Sequence, residues 1–397
     1  MPSCFSVYIA LVLLIPVLLS LRNPRGETEQ NASINFSPTF SFSITSLSSR
    51  DTSDAFPFNE RIRDGSNLDY DFYRDSCPEA EGIVRSAVTR IYSDHKDIAP
   101  AILRLFFHDC FIEGCDASVL LDDSDGKENR SIEKQALPNQ TLRGFDYIDL
   151  IKNELEQTCA GVVSCADIIA LAARDGVVLA GGPFYPVLTG RKDSFQSFYE
   201  EANNQIPRPD DDVNQTLGRF ALRGFNERET VSLLGAHNIG KIGCDFISQR
   251  LYNFHGTGKP DPSIPPDFLR QMRINCQGDM NSSDDKVSAA FFTRKLSESV
   301  PGMSYLQALS SSVSSGSKFD THYYESLLKG RGLLFADQQL MAEQKTARLV
   351  SAYASDDGST FRMDFARVML KMSNLDVLTG TQGEVRLNCS RPVRTTV

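Results

Sequence analysis

The sequence predicts a mainly α-helical, two-lobed domain with few and short strands. Three observations carry this. Apolar residues recur at helical spacing along most of residues 68–391, strand-like alternation is short and rare, and the run IPRPDDD breaks the periodicity near 205–212 between two helical halves.

Taken in order, residues 1–21 hold an apolar run from Phe5 to Leu21, followed by Arg22 and Arg25. At about 17 residues the run is short for a membrane span and fits the core of a signal peptide. The segment before it lacks Lys and Arg, and no clean small-residue cleavage site follows, so an uncleaved anchor is the alternative. Residues 22–67 are rich in Ser, Thr and Asn without a period and predict a poorly ordered extension. The stretch 78–94 places Ile83, Val84, Ala87, Val88 and Ile91 on one helical stripe, and Pro78 suits a first helical turn. Comparable patterns predict helices over 97–109, 143–158, 164–180, 213–222, 227–236, 243–253, 338–354 and 359–372. Residues 277–318, with SSDD and LSSSVSSGS, predict a long loop whose middle, 291–309, has room for a short helix. Residues 392–397 form a tail.

Composition narrows the function. The 397 residues are 41% hydrophobic and 23% charged, ordinary for a globular protein with ample core. A net charge of -10 argues against a nucleic-acid partner, which needs a basic face. Of nine cysteines, Cys4 lies in the leader. Removing the leader leaves an even set: Cys77, Cys110, Cys115, Cys159, Cys165, Cys244, Cys276 and Cys389. With no CxxC pair to suggest zinc, these predict disulfides in an oxidising compartment, against the alternative of scattered buried thiols. N-x-S/T triplets start at Asn31, Asn35, Asn129, Asn139, Asn214, Asn281 and Asn388. Together with the leader they suit a secreted, glycosylated protein.

The chemistry concentrates in LRLFFHDCFIEGCDAS at 103–118. On a helix, Arg104 and His108 are four residues apart and share a face. A neutral imidazole there can accept a proton while a guanidinium stabilises developing negative charge, which is what heterolysis of a peroxide O–O bond requires. An isolated R-x-x-x-H is more often a buried His beside a solvated Arg; the residues that follow make this one specific. Cys110 and Cys115 are close enough to close a small loop. Asp109, Asp116 and Ser118, with the carbonyls of Asp109, Ile112 and Gly114, offer hard oxygen ligands for calcium, the alternative being an acidic turn without metal.

This stretch closely resembles the distal motif of plant secretory (class III) haem peroxidases. The resemblance continues through SCADIIALAARD at 164–175, GGP-x-x-x-V-x-x-GR-x-DS at 181–194, LLGAHNIG at 233–240, FDTHYY at 319–324, LLFADQQL and LTGTQGEVRLNC. It spans about residues 68–391. It implies haem b held between a distal and a proximal helical lobe, calcium, hydrogen peroxide as oxidant and small phenolic donors. It further implies an oxoferryl intermediate, a monomer, N-glycans and an extracellular, wall or vacuolar destination.

Carried over residue by residue, the resemblance implies His108 as distal acid–base, Arg104 as its partner in O–O cleavage, and Asn139 as the group that orients His108. Glu133 would link toward the distal calcium, Phe107 would wall the haem pocket and Pro207 would sit near the aromatic donor. His237 would ligate iron and Asp337 would bond its other ring nitrogen, giving it imidazolate character. The other histidines, His95, His255 and His322, have no such context. The implied bridges are Cys77–Cys159, Cys110–Cys115, Cys165–Cys389 and Cys244–Cys276.

The sequence also departs from the pattern. Asn238 replaces the usual Thr after the proximal histidine, Ser312 stands where an acidic ligand is expected, and Ser315 stands for the next Thr. Only Asp320 is a clear carboxylate, so a proximal calcium is expected to be weak or absent. The loop before Asp320 is longer than the family norm. There is no Trp, Tyr185 stands in the segment where many relatives carry one, and Phe106 replaces a polar residue two positions before His108. Three readings follow: an active peroxidase, a haem-binding wall-associated protein with weak or no turnover, and a non-haem calcium-binding glycoprotein.

Overall fold

The structure is a computed structural model that describes residues 68–122, 132–276, the backbone of 302–303, 319–355 and 357–393. Two compact units divide the chain, Met1–Glu60 and Arg61–Val397, and every described residue belongs to the second. The leader, most of the extension, the sequons at Asn31, Asn35, Asn129 and Asn281, and the ligand candidates Ser312 and Ser315 lie outside the described residues.

The predicted class is correct: the described residues are mainly helical, and the one sheet among them has two strands of two residues each. In chain order the helices are α1 (Ala80–Asp94), α2 (Ile98–Phe111), α3 (Phe145–Thr158), α4 (Cys165–Leu179), α5 (Tyr199–Gln205), α6 (Val213–Leu222), α7 (Glu227–Leu234), α8 (Asp245–Tyr252), α9 (Pro266–Cys276), α10 (His322–Leu328), α11 (Phe335–Gln339), α12 (Gln344–Ser355) and α13 (Ser359–Ser373).

Helices α1 to α4 pack on one another as a first group. The stripe on α1 is buried at Ala80, Val84, Ala87, Val88 and Ile91. Ser164 caps α4 by accepting the Asp167 amide at 3.2 Å, and nearly every α4 side chain is buried, which makes it the central rod. Its Gly176 lets α2 approach: a Cβ there would stand 3.3 Å from the Ala99 Cα.

A second group forms from α7, α10, α12 and α13. Reciprocal side-chain caps start two of its neighbours in sequence. Asp212 and Gln215 bond each other's backbone at the head of α6, as do Asn226 and Glu229 at α7. The IPRPDDD break thus ends in a helix cap, which is why the periodicity stops there.

Several boundaries differ from the sequence reading. The helix expected over 338–354 is two, α11 and α12, because the Glu343 carboxylate accepts the amides of Lys345 and Thr346 and starts a new helix. The helix expected to reach 236 ends at Leu234 and tightens into a 3₁₀ turn, Gly235–Asn238. A Cβ at Gly235 would lie 2.2 Å from the Tyr324 hydroxyl, so only glycine fits. Helices α5, α9 and α10 were not anticipated; all are short or polar and derive their burial from neighbours. Within the long loop, Gly302–Met303 is a strand, paired antiparallel with Ile242–Gly243; the rest of 291–309, with its room for a short helix, lies outside the described residues.

All four expected bridges are formed: Cys77–Cys159, Cys110–Cys115, Cys165–Cys389 and Cys244–Cys276. Behind them lies a buried ionic hub. Asp167 accepts from the Tyr73 hydroxyl at 2.6 Å, the Gly190 amide at 2.7 Å and the Arg191 guanidinium at 2.7 Å. Arg386 donates to the Ala117 carbonyl at 2.7 Å and seats the C-terminal segment on the loop that follows α2.

Candidate active site

Helix α2 presents Arg104 and His108 on one face, as the spacing predicts. His108 is only 5% exposed. Its Nδ1 donates to Asn139 Oδ1 at 2.6 Å, and Asn139 Nδ2 donates to the Glu133 carbonyl at 2.8 Å. This fixes the tautomer and leaves Nε2 as the nitrogen able to take a proton. Burial and the Arg104 charge push His108 down to a pKa of about 3, partly opposed by the Asn139 bond, so the ring is neutral at working pH. Arg104 donates to the carbonyls of Pro138 at 3.0 Å and Thr141 at 3.1 Å. Burial lowers its pKa to about 10, which still leaves it charged. Phe107 packs on Phe111 and Phe220 with ring centroids 4.9 and 5.9 Å away.

The second histidine sits in the 3₁₀ turn after α7. His237 Nδ1 donates to Asp337 Oδ1 at 2.8 Å, and the Tyr323 hydroxyl donates to the same oxygen at 3.0 Å. Burial opposes protonation of His237, but the charge of Asp337 and its hydrogen bond outweigh it and raise the pKa. The His237 side chain remains 38% exposed, so its other nitrogen is reachable. The Arg104 charge also acts on His237, so the two histidine sites lie within electrostatic reach of one another. Pro207, partly exposed, lies in the segment joining the two helix groups, whose Pro209 carbonyl accepts the Ala336 amide at 3.0 Å.

Next to His108 is a pocket of buried acids. Asp109 Oδ1, Ser118 Oγ and Glu133 Oε2 are buried without a hydrogen-bond partner. Burial raises Asp109 and Glu133 well above the usual carboxylate range, with the Asp116 charge adding to both, and lifts Asp116 to about 6. Buried carboxylate oxygens without donors are costly unless a hard cation neutralises them. The donor set around Asp109, Asp116 and Ser118, on the loop with Ile112 and Gly114, therefore fits calcium. Glu133 bridges this pocket to His108: its Oε1 accepts the Phe198 amide at 3.0 Å, and its carbonyl holds Asn139.

On the other side, Asn238 Nδ2 donates to the Asp320 carbonyl at 2.9 Å, and Asn238 Oδ1 is buried without a partner. The Asp320 carboxylate accepts the His322 amide at 3.0 Å and pairs with the His322 ring. His322 is thus a buried partner of Asp320, one of the ordinary surface or core roles expected of it. The sequon at Asn139 is corrected as well: that residue is 2% exposed and holds His108, so it has no access for a glycan. Among the described residues, Asn214 and Asn388 are exposed sequons. Tyr323, Ser197, Phe198, Pro138, Thr141 and Arg386 were missed by sequence reasoning. All act through backbone groups or distant contacts, which leave no local signal.

Comparison with known proteins agrees with this geometry. A family model described as Peroxidase matches residues 84–356. "Putative Peroxidase 48" of Arabidopsis thaliana is 46% identical over 345 residues, covering 83% of each chain. "Peroxidase 10" of the same plant is 42% identical over 330 residues, covering 82% of this chain and 87% of the relative. "Peroxidase N1" of Nicotiana tabacum is 40% identical over 322 residues, covering 80% of this chain and 88% of the relative.

Proposed function

This chain belongs to the peroxidase family, and from that premise we propose how its own residues carry out the reaction. It is a haem peroxidase, an oxidoreductase that uses hydrogen peroxide to oxidise aromatic donors, and the family implies calcium besides haem. The observation that carries the reading is the pair of oriented imidazoles, His108 held by Asn139 and His237 held by Asp337.

His237 would hold the iron of haem b through Nε2, and Asp337 would increase its basicity. Bound haem supplies the metal that receives peroxide and the electrons that reduce it. His108 Nε2 takes the proton from the peroxide oxygen nearer the metal and returns it to the outer oxygen, which leaves as water. Arg104 stabilises the charge that develops on that outer oxygen as the bond breaks. Asn139 keeps Nδ1 of His108 protonated, so the exchange occurs only at Nε2. Phe107 walls the cleft and keeps water from it. Small phenols give up electrons one at a time near Pro207.

We further propose one firm calcium site at Asp109, Ile112, Gly114, Asp116 and Ser118. The second, around Asn238, Ser312, Ser315 and Asp320, is weak, because His322 already engages the Asp320 carboxylate. The proposed mature protein is a secreted monomer whose leader is cleaved. Asn214 and Asn388 are its candidate glycan carriers among the described residues. No helix among the described residues is long and apolar enough to cross a membrane.

The decisive experiment loads the purified chain with haem and calcium and measures oxidation of a phenol by peroxide in wild type and His108→Ala. Equal low rates in both would overturn the reading. In parallel, the haem Soret band should be lost or shifted in His237→Ala.

A further inference from the structure

A continuous set of aromatic rings leads away from His237. The centroid of Tyr323 is 6.2 Å from that of His237, Tyr324 follows at 5.0 Å, and Tyr353 at a further 5.0 Å. These separations are contact distances for aromatic rings. Both ends of the phenol series have a carboxylate as hydrogen-bond acceptor: Tyr323 donates to Asp337 at 3.0 Å and Tyr353 donates to Asp364 at 2.6 Å. Tyr324, between them, donates to the Val231 carbonyl at 3.0 Å.

The far end stops just beneath a surface hollow. Tyr353 is 1% exposed, but its acceptor Asp364 also pairs with Arg228 at 2.8 Å, and Arg228 is 47% exposed. Arg228 lines a hollow of about 460 Å³ together with Asn226, Glu227, Lys345, Arg348 and Leu349. With Asp364 counted beside Glu227, three cations face two carboxylates, one positive charge in excess in a chain of net charge -10. Glu227 is partly answered by Lys345 at 3.0 Å, whereas Arg348 is exposed and has no hydrogen bond or ion pair among the described residues. Lys345 and Arg348 lie in the first turns of α12, where the helix dipole disfavours positive charge, and α7 also begins at this hollow. Arg228 and Lys345 are answered by Asp364 and Glu227, so the Arg348 guanidinium is the charge left for an anionic ligand to answer.

We propose that this hollow is a second donor site, selective for phenolic carboxylates, and that Tyr353, Tyr324 and Tyr323 relay the donor's electron to the haem side at His237. The proposal rests on the peroxidase reading above. Reduction of peroxide leaves the haem short of electrons. One electron passes from Tyr353 through Tyr324 and Tyr323 toward the haem, and the Tyr353 phenolic proton moves to Asp364 across their hydrogen bond. The bound donor then gives one electron to the Tyr353 radical, Asp364 returns the proton to the Tyr353 oxygen, and the donor releases its own phenolic proton to water. Each cycle oxidises one donor by one electron and reduces the haem by one. Burial and Asp364 hold Tyr353 protonated at rest, so it has a proton to give.

The test uses the full chain loaded with haem and calcium. The probes are 4-hydroxycinnamate, its uncharged methyl ester, and 2-methoxyphenol as a neutral control. In the enzyme without peroxide, Arg348→Glu should weaken binding of 4-hydroxycinnamate roughly tenfold by equilibrium dialysis and leave the ester unchanged. With peroxide and no donor, electron paramagnetic resonance should show a tyrosyl radical that Tyr353→Phe removes. Should that variant not fold, 3-fluorotyrosine at position 353 should alter the hyperfine pattern instead. Equal binding of the anion by wild type and Arg348→Glu overturns the donor site, and a radical indifferent to position 353 overturns the relay. Turnover of 2-methoxyphenol by wild type but not His108→Ala establishes the underlying reading separately; its absence in wild type sinks that reading and this proposal with it.

Discussion

Asn139 Oδ1 lies 2.6 Å from Nδ1 of His108, while Asn139 Nδ2 reaches back 2.8 Å to the Glu133 carbonyl. One amide thereby ties the imidazole to the buried acid pocket beside it. Orientation of the base and occupancy of the pocket are consequently parts of one arrangement.

Replacing Asn139 by Ala should free the His108 ring and its tautomer. The expected outcome is a fall in kcat/KM for peroxide on the order of tenfold to a hundredfold, with the Soret band retained. Stopped-flow rates at several peroxide concentrations check this. A rate within twofold of wild type would remove Asn139 from the positioning role.

The pH dependence follows from His108. Its folded pKa is depressed to about 3, by burial and the Arg104 charge. The base is therefore available at all pH values well above 3, and the peroxide reaction should show no step near pH 6.5, where a free histidine titrates. Stability has the opposite sensitivity. Below about 6.5 the unfolded chain takes a proton that folded His108 refuses, so this residue lowers stability by at most about 1.4 kcal/mol per pH unit until about pH 3. Rapid-mixing rates and thermal melts between pH 4 and 8 separate the two effects.

The orphan oxygens of Asp109, Ser118 and Glu133 are what the proposed calcium would satisfy in the folded state. At free calcium about 100 times its Kd, unfolding should cost about 2.7 kcal/mol more than in excess chelator. Asp109→Asn should remove most of that difference. Denaturant melts with and without chelator provide the measurement, and identical midpoints would contradict the site.

Asp337 is buried between His237 and Tyr323. Asp337→Asn keeps the shape but removes the charge that raises the basicity of His237. The iron reduction potential should rise, and the rate with peroxide should fall roughly tenfold or more. Spectroelectrochemistry tests the first point independently of turnover.

Arg191 and Asp167 form a fully buried ion pair. Asp167→Ala leaves the guanidinium without its partner and should destabilise the chain by about 3–5 kcal/mol. The Tyr73 hydroxyl and the Gly190 amide lose their acceptor as well. A denaturation midpoint unchanged in this variant would show that the hub contributes little.

What could be read locally was read correctly. The i, i+4 pair on α2, the stripe on α1, the starts of α6 and α7 and the even cysteine set are all properties of short stretches, where periodicity and spacing act directly. The helix break at 340–343 was missed because it depends on where one carboxylate, Glu343, points. The sequence by itself determined which residues carry charge, protons and oxygen ligands, and the periods that bury one face of each helix. Only the tertiary structure decided that Asn139 is too buried to be an open sequon, that His322 occupies Asp320, and that Tyr323, Tyr324 and Tyr353 are in contact. Those outcomes join residues that are remote along the chain or depend on which way a side chain faces, and a hydrogen bond or ring contact leaves no mark in sequence spacing until packing has chosen its partner.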